Sequence, residues 1–294
     1  MRGRDAALIV IICLAWAGNF LSSTLALREF TPLLFTALRL ILLATLLGAF
    51  LKRPAKGQWP RLIAVALCNG VLHFGLGFWS MRLSTTLASP AIVMQSYVPI
   101  AALLAWRLKG ERPTRLTAAA IGLSFLGVLV LGFDPSVLQS PTALVLMLIS
   151  AFFLALGTVL MRELQGLDVF SQQGWTAVIG IAPLLAWSLA VEPHPLEVMR
   201  NASLMAWTGV AYAAVVASLV GHGLYYVLVK RHPVAQVTPY LLATPLLATV
   251  LGIVFMNNTV GPRLWLGGAM VLGGVFAIAM RDLRRFSPKT QGEQ

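Results

Sequence analysis

Ten apolar segments of roughly 20 residues, each closed by charge, proline or glycine, follow one another almost without pause through the 294-residue chain. A hydrocarbon layer about 30 Å thick takes about 20 helical residues, and a helix satisfies its own backbone polar groups there. A membrane barrel would instead show short alternating segments. The spans are read as 6–27, 33–51, 62–81, 86–106, 116–133, 142–161, 170–191, 203–229, 234–256 and 263–280. Charged residues make up 11% of the chain, against about 25% in soluble domains. Such a chain cannot cover a globular surface with polar groups. The expected fold is all-α integral membrane, with ten transmembrane helices.

Arg2 and Arg4 before an apolar run, and Ala15-Trp16-Ala17 within it, imitate a cleavable signal peptide. The apolar run continues to Leu27, which is spanning length, so it is read as the first helix. Cys13 and Cys68 lie inside apolar runs without metal-ligand spacing and read as small buried hydrophobes.

The net charge of +12 would suggest nucleic acid on a soluble protein. Here the basic residues cluster between spans. With the amino terminus inside, seventeen of the 22 Lys and Arg fall on the cytoplasmic side and four outside, leaving Arg39 within a span. That bias places both termini in the cytoplasm and favours an even number of spans.

An internal repeat is visible. Pro99 and Pro245 are 146 residues apart, as are Gly122 and Gly268, and Gly127 and Gly273. His73-Phe74-Gly75-Leu76 resembles His222-Gly223-Leu224 at an offset of 149. A unit of five spans enters the membrane upside down the second time, so residues 1–135 and 136–294 read as two inverted five-helix repeats within one structural unit. Inverted repeats with a site near the midplane are a recurring plan of secondary transporters.

Arg39 within Thr36-Ala37-Leu38-Arg39, and Pro99 followed by Gly110-Glu111-Arg112, resemble the EamA-type drug/metabolite transporters over essentially the whole chain. Asn257 stands where the second copy would carry a counterpart of Glu111. Within that superfamily the chain looks most like the bacterial amino-acid exporters, including the branch for aromatic amino acids. The resemblance implies a basket of helices with a cavity lined by spans 3, 4, 8 and 9. Spans 1, 2, 6 and 7 would close its sides, and spans 5 and 10 would pack as a scaffold.

All ten acidic residues fall at span ends or in loops. Cation-coupled carriers commonly hold Asp or Glu at depth. Their absence there argues against a lipophilic cation as substrate and for facilitated diffusion. The spans instead hold uncharged polar and aromatic residues. Asn69, His73, Gly77 and Ser80 share one face of span 3; Ser218, His222 and Tyr225 or Tyr226 share one face of span 8. These stripes are expected to face one cavity, the alternative being hydrogen-bonded glue between helices. A neutral imidazole can both donate and accept, which suits a zwitterion, and it can carry a proton.

Span 4 adds Gln95 and Tyr97, and span 9 adds Thr238, Tyr240 and Thr244. Pro99 and Pro245 are the expected hinges, because a mid-helix proline kinks the helix and frees a carbonyl near i−4. Asn19, Phe78, Trp79 and Trp175 complete the candidate substrate-binding set, while Trp59 and Trp265 suit the interfacial belt. Arg39, near the outer end of span 2, is expected to snorkel to the interface, with a substrate carboxylate as the sharper alternative. Ala118 and Gly122 form a small-x-x-x-small pair for the scaffold.

No Walker loop, His-Glu-x-x-His or nucleophile-base set is present, so no enzyme, cofactor or metal is expected. The expected partners are amino acids and the lipid bilayer of the bacterial inner membrane, not nucleic acid. A monomer suffices for such a site. The reading is an amino-acid exporter, aromatic and other neutral ones included, working by alternating access. Export of other neutral metabolites or drugs, or a channel-like pore or sensor, are the alternatives.

Overall fold

The computed structural model describes residues 3–110, 112–232, 237 and 240–286, with the backbone alone at 3, 229–230 and 282–286. Among them no strand occurs, and nine helices are long and apolar enough to cross a membrane. They are α1 (Arg4–Ala26), α2 (Pro32–Phe50), α3 (Trp59–Leu83), α4 (Ala88–Lys109), α5 (Arg115–Gly132), α6 (Pro141–Met161), α7 (Val169–Val191), α8 (Leu204–Leu228) and α10 (Pro262–Arg281). The ninth expected span is represented by α9 (Ala243–Met256), which has 14 residues. Thr238, together with Glu111, Arg2 and Lys289, lies outside the described residues. Large apolar side chains such as Leu126, Leu129, Val254 and Phe255 are exposed, as a lipid-facing surface requires.

Helix α5 packs along α10, α2 along α7, α1 against α8 and α9, and α6 against α3 and α4. The α5–α10 seam is built on bare backbone. A Cβ added at Gly127 would stand 2.7 Å from the Gly267 carbonyl oxygen, and one at Gly267 would stand 2.6 Å from the Gly127 carbonyl oxygen. Gly274 lies equally close to Ala120 and Ser124. The pair Ala118 and Gly122 is not on this seam: both are exposed, and a Cβ added at Gly122 would meet nothing within 4 Å. At 3.6 residues per turn, positions 120, 124 and 127 share a face that 118 and 122 do not.

Among the described residues the carboxylates sit at helix ends and in the loops that join them. Glu192 accepts from Thr31 Oγ1 (2.7 Å), the Leu33 and Leu34 amides (2.7 and 3.0 Å) and Ser188 Oγ (2.6 Å), closing the start of α2. Glu29 accepts from the amide and hydroxyl of Ser203, both at 2.6 Å, just ahead of α8. Asp134 accepts from the Ser136 amide (3.0 Å) and from the Leu264 amide (3.1 Å) in the first turn of α10. These carboxylates satisfy amides that a helix start leaves without partners and complement its dipole. At the opposite end of the bundle, Asp168 caps α7 through the Ser171 amide (2.8 Å) and pairs with Lys52 (2.7 Å). There Glu163 holds Arg61 and Lys109, and Asp5 holds His232.

Helices α4 and α9 both stop in the left-handed region, at Gly110 (φ 72°) and Asn257 (φ 53°). Asn257 therefore takes the backbone role of Gly110 rather than that of a residue beside it. Asn is one of the few non-glycine residues that enters this region readily.

Candidate functional site

Two spans depart from α geometry, and each does so just before a histidine. Leu67–His73 in α3 and Tyr212–His222 in α8 are π-helical. Wide turns of this kind are uncommon and frequent at functional sites. The α8 turn leaves the carbonyls of Ala213 and Ala217 for other donors. Ala213 O accepts from Ser218 Oγ at 2.7 Å; Ala217 O accepts from Trp16 Nε1 at 3.1 Å and lies 3.1 Å from His222 Nδ1. The Trp16 indole stands on Gly221, where a Cβ would fall 2.6 Å from Nε1. Its ring lies 5.2 Å from the His222 ring and 6.0 Å from Tyr225.

Arg39 does not snorkel. It is 3% exposed, deep between α2, α3 and α8. Its Nε donates to Ala213 O (3.3 Å) and its Nη2 to Ser218 Oγ (2.7 Å), while the guanidinium lies 3.7 Å over the Phe74 ring. The face of α2 that carries Arg39 is turned into the bundle, so its distance along the span did not decide where its charge went. Arg39, His73 and His222 lie within electrostatic range of one another, as do Tyr97 and Tyr225. Phe78 is buried against Phe35 (4.9 Å, edge to face) and Phe74 (5.9 Å, stacked).

The interior of the bundle thus gathers His73, Phe78, Tyr97, His222 and Tyr225 from the expected set and adds Trp16, Arg39 and Phe74. The π-helical turns carry no sequence period that would announce them, and Trp16 is disguised by its small flanking residues. Gln95 and Thr244 are buried, Gln95 at the break in α4.

Other expected residues face elsewhere. The whole α3 stripe meets α6. Asn69 Oδ1 rests on Gly157, where a Cβ would fall 2.0 Å away. His73 Nδ1 lies 2.9 Å from Ser150 Oγ, and Ser80 Oγ donates to Ala143 O at 2.6 Å. Hydrogen-bonded glue is therefore what Asn69 and Ser80 supply, and His73 shares in it. Trp79 stands beside Trp187 of α7 (6.3 Å). Trp175 donates to the Lys52 carbonyl (2.8 Å) and meets Trp59 edge to face (5.0 Å), as belt residues do. Asn19 bonds within its own helix, accepting from Ser23 Oγ at 3.2 Å. The Tyr240 ring is 54% exposed, so it does not join the interior group.

Pro99 breaks α4 into Ala88–Met94 and Tyr97–Lys109, with Gln95 and Ser96 in turn conformation. The carbonyl freed at Gln95 is taken by the Val98 amide at 3.1 Å. In the second half the turn falls at Leu242, three residues before Pro245, as Ser96 precedes Pro99.

A bundle of apolar helices, broken where it gathers histidines, aromatic rings and one guanidinium, is a multi-pass membrane protein with an interior polar site. The chain belongs to the EamA-like transporter family, which matches it twice, over residues 5–133 and 141–280. It is therefore a membrane transporter. Among curated relatives it is 26% identical to a probable amino-acid metabolite efflux pump of Salmonella typhimurium, over 98% of this chain and 100% of that protein. A protein of Escherichia coli with the same description is 25% identical over 94% of this chain and 95% of its own. A solved crystal structure shares the fold at a TM-score of 0.65 and 19% identity, covering 98% of this chain and 100% of that one.

Proposed function

We propose that this transporter exports amino acids, aromatic and other neutral ones included, across the bacterial inner membrane by alternating access. The observation that carries the reading is the interior group itself. Trp16, Tyr97, His222 and Tyr225 offer aromatic faces and uncharged polar edges, with no mid-span carboxylate among the described residues. Such a lining suits a small zwitterion with an apolar side chain. The descriptions of the Salmonella and Escherichia relatives point the same way.

The proposed frame has ten spans in two inverted five-helix repeats, residues 1–135 and 136–294, with both termini cytoplasmic. Three things support it: the double family match, the pairing of α1–α8 with α6–α3, and the breaks at Ser96 and Leu242. Pro99 and Pro245 would act as hinges between the outward and inward states, and α5 with α10 as the fixed seam. Without a mid-span carboxylate among the described residues to hold a coupling cation, flux follows the substrate's own gradient.

Counterflow tests this. Proteoliposomes preloaded with unlabelled neutral amino acids should accumulate labelled phenylalanine or methionine, with or without a proton gradient. Accumulation that requires the gradient would overturn the uncoupled mechanism. No accumulation of any amino acid would overturn the substrate class.

A further inference from the structure

A guanidinium is charged at every physiological pH and presents five N–H donors in a planar fork. At Arg39 two of these are used, one on Ala213 O and one on Ser218 Oγ, and both acceptors are neutral. Nη1 is buried with no hydrogen-bond partner among the described residues, and no carboxylate there pairs with the side chain. The Phe74 ring face at 3.7 Å attracts the cation but supplies no lone pair in the plane of the fork. Buried charges are otherwise paired, because an uncompensated one costs several times what a bond to a neutral acceptor returns. The missing component is an anion, and the geometry of the unused edge selects a planar one with two oxygens.

The place of the charge matters as much. Arg39 touches the π-helical turn of α8 at two points, Ala213 and Ser218, and lies over the residue that follows the π-helical turn of α3. An anion bound at Nη1 is therefore linked through Arg39 to both histidine-bearing turns.

We propose that Arg39 is the carboxylate subsite of this transporter, so that substrates are selected by their carboxylate and not by their ammonium group. The inference rests on the transport reading above and narrows it. Among the described residues an ammonium group meets only neutral acceptors in the interior, whereas a carboxylate meets a cation. The accepted class is then amino acids together with the matching 2-oxo and 2-hydroxy acids. Amines lacking a carboxylate are excluded.

The test is competition in the counterflow assay with labelled phenylalanine. Unlabelled phenylpyruvate should compete within about threefold of phenylalanine, and phenethylamine should not compete at all. Arg39→Gln should abolish counterflow, while Ser218→Ala, which removes a partner of Arg39 but keeps the guanidinium, should keep the acid-over-amine order. If Arg39→Gln fails to fold, the wild-type order and the Ser218→Ala order still decide. Phenethylamine competing as well as phenylpyruvate would overturn the carboxylate subsite and leave amino-acid transport standing. Chloride, exchanged for methanesulfonate, competing as well as phenylpyruvate would assign Nη1 to an inorganic anion and also overturn it. Absence of counterflow with every probe would overturn both readings.

Discussion

His73 and Ser150 hold each other twice. The Ser150 hydroxyl donates to the His73 carbonyl at 2.8 Å, and the same oxygen lies 2.9 Å from His73 Nδ1. With the hydroxyl proton committed to the carbonyl, Nδ1 is the donor and Nε2 carries the lone pair. Among the described residues no hydrogen bond reaches Nε2, which leaves it for a substrate donor.

Ser150→Ala should then cost about 1 kcal/mol of stability, the usual worth of a hydrogen bond between membrane helices. It should also weaken transport, because the imidazole loses what fixes its tautomer. Thermal melting in detergent and counterflow in liposomes check the two parts separately. A variant that melts lower yet transports normally would reduce His73 to a packing residue.

Trp16 and Tyr240 make a contrasting pair. The Trp16 indole contributes a hydrogen bond of about 1 kcal/mol and ring contacts of about 1 kcal/mol more. Trp16→Ala should therefore cost about 2 kcal/mol of stability and, by freeing the His222 and Tyr225 rings it packs against, weaken apparent substrate affinity by more than about twofold. Tyr240→Ala, at an exposed ring, should stay within about twofold of wild type. Saturation curves for counterflow give both values, and the reverse order would displace the site toward α9.

The α5–α10 seam predicts a sharp difference between glycines. Gly127→Ala puts a methyl group against backbone atoms of Gly267 and Val271 and should destabilise by about 1–3 kcal/mol. Gly122→Ala meets nothing and should match wild type or gain slightly in helix propensity. Detergent melting curves of the two variants side by side decide it.

At the end of the bundle that carries Lys52, the ammonium beside it holds the Asp168 carboxyl below its ordinary range, helped by the Ser171 amide. Asp168 in turn holds the Lys52 ammonium above its own range. A depressed acid stabilises above its unfolded value and loses that contribution as pH falls through the folded one. A raised base loses its contribution as pH rises through the folded value. Wild type should therefore melt above Asp168→Asn between about pH 4 and about pH 10, with the gap closing on either side. Asn caps a helix start about as well as Asp does, so the gap reports the charge pair with Lys52 and not the cap. A gap independent of pH would assign it to packing.

Much of this architecture was legible because lipid is a strict solvent. Nine of the ten expected spans lie within about three residues of a helix of the structure, because each is a run that must be apolar, and the places of Glu29, Asp134 and Glu192 follow from where charge can stand. The stripe through Asn69, His73 and Ser80 was correctly a face, but a face does not name its partner, and α6 rather than an open cavity meets it. Depth along the span misplaces Arg39, because the face it lies on decides its burial. The π-helical turns at His73 and His222 were invisible because widening one turn leaves the residue types unchanged. Trp175 and Trp79 have the chemistry of a binding site, but their surroundings, Lys52 and Trp187, give them other tasks.

The two left-handed stops at Gly110 and Asn257 carry a consequence for how such chains diverge. What both helices keep is a torsion angle, and two different residues supply it. Selection on a dihedral leaves identity free within the narrow set that can adopt it, so Asn257→Gly should be nearly silent while a β-branched residue there would strain the turn. Kinship between two such helix corners is then better preserved in the backbone's handedness than in any letter-by-letter match.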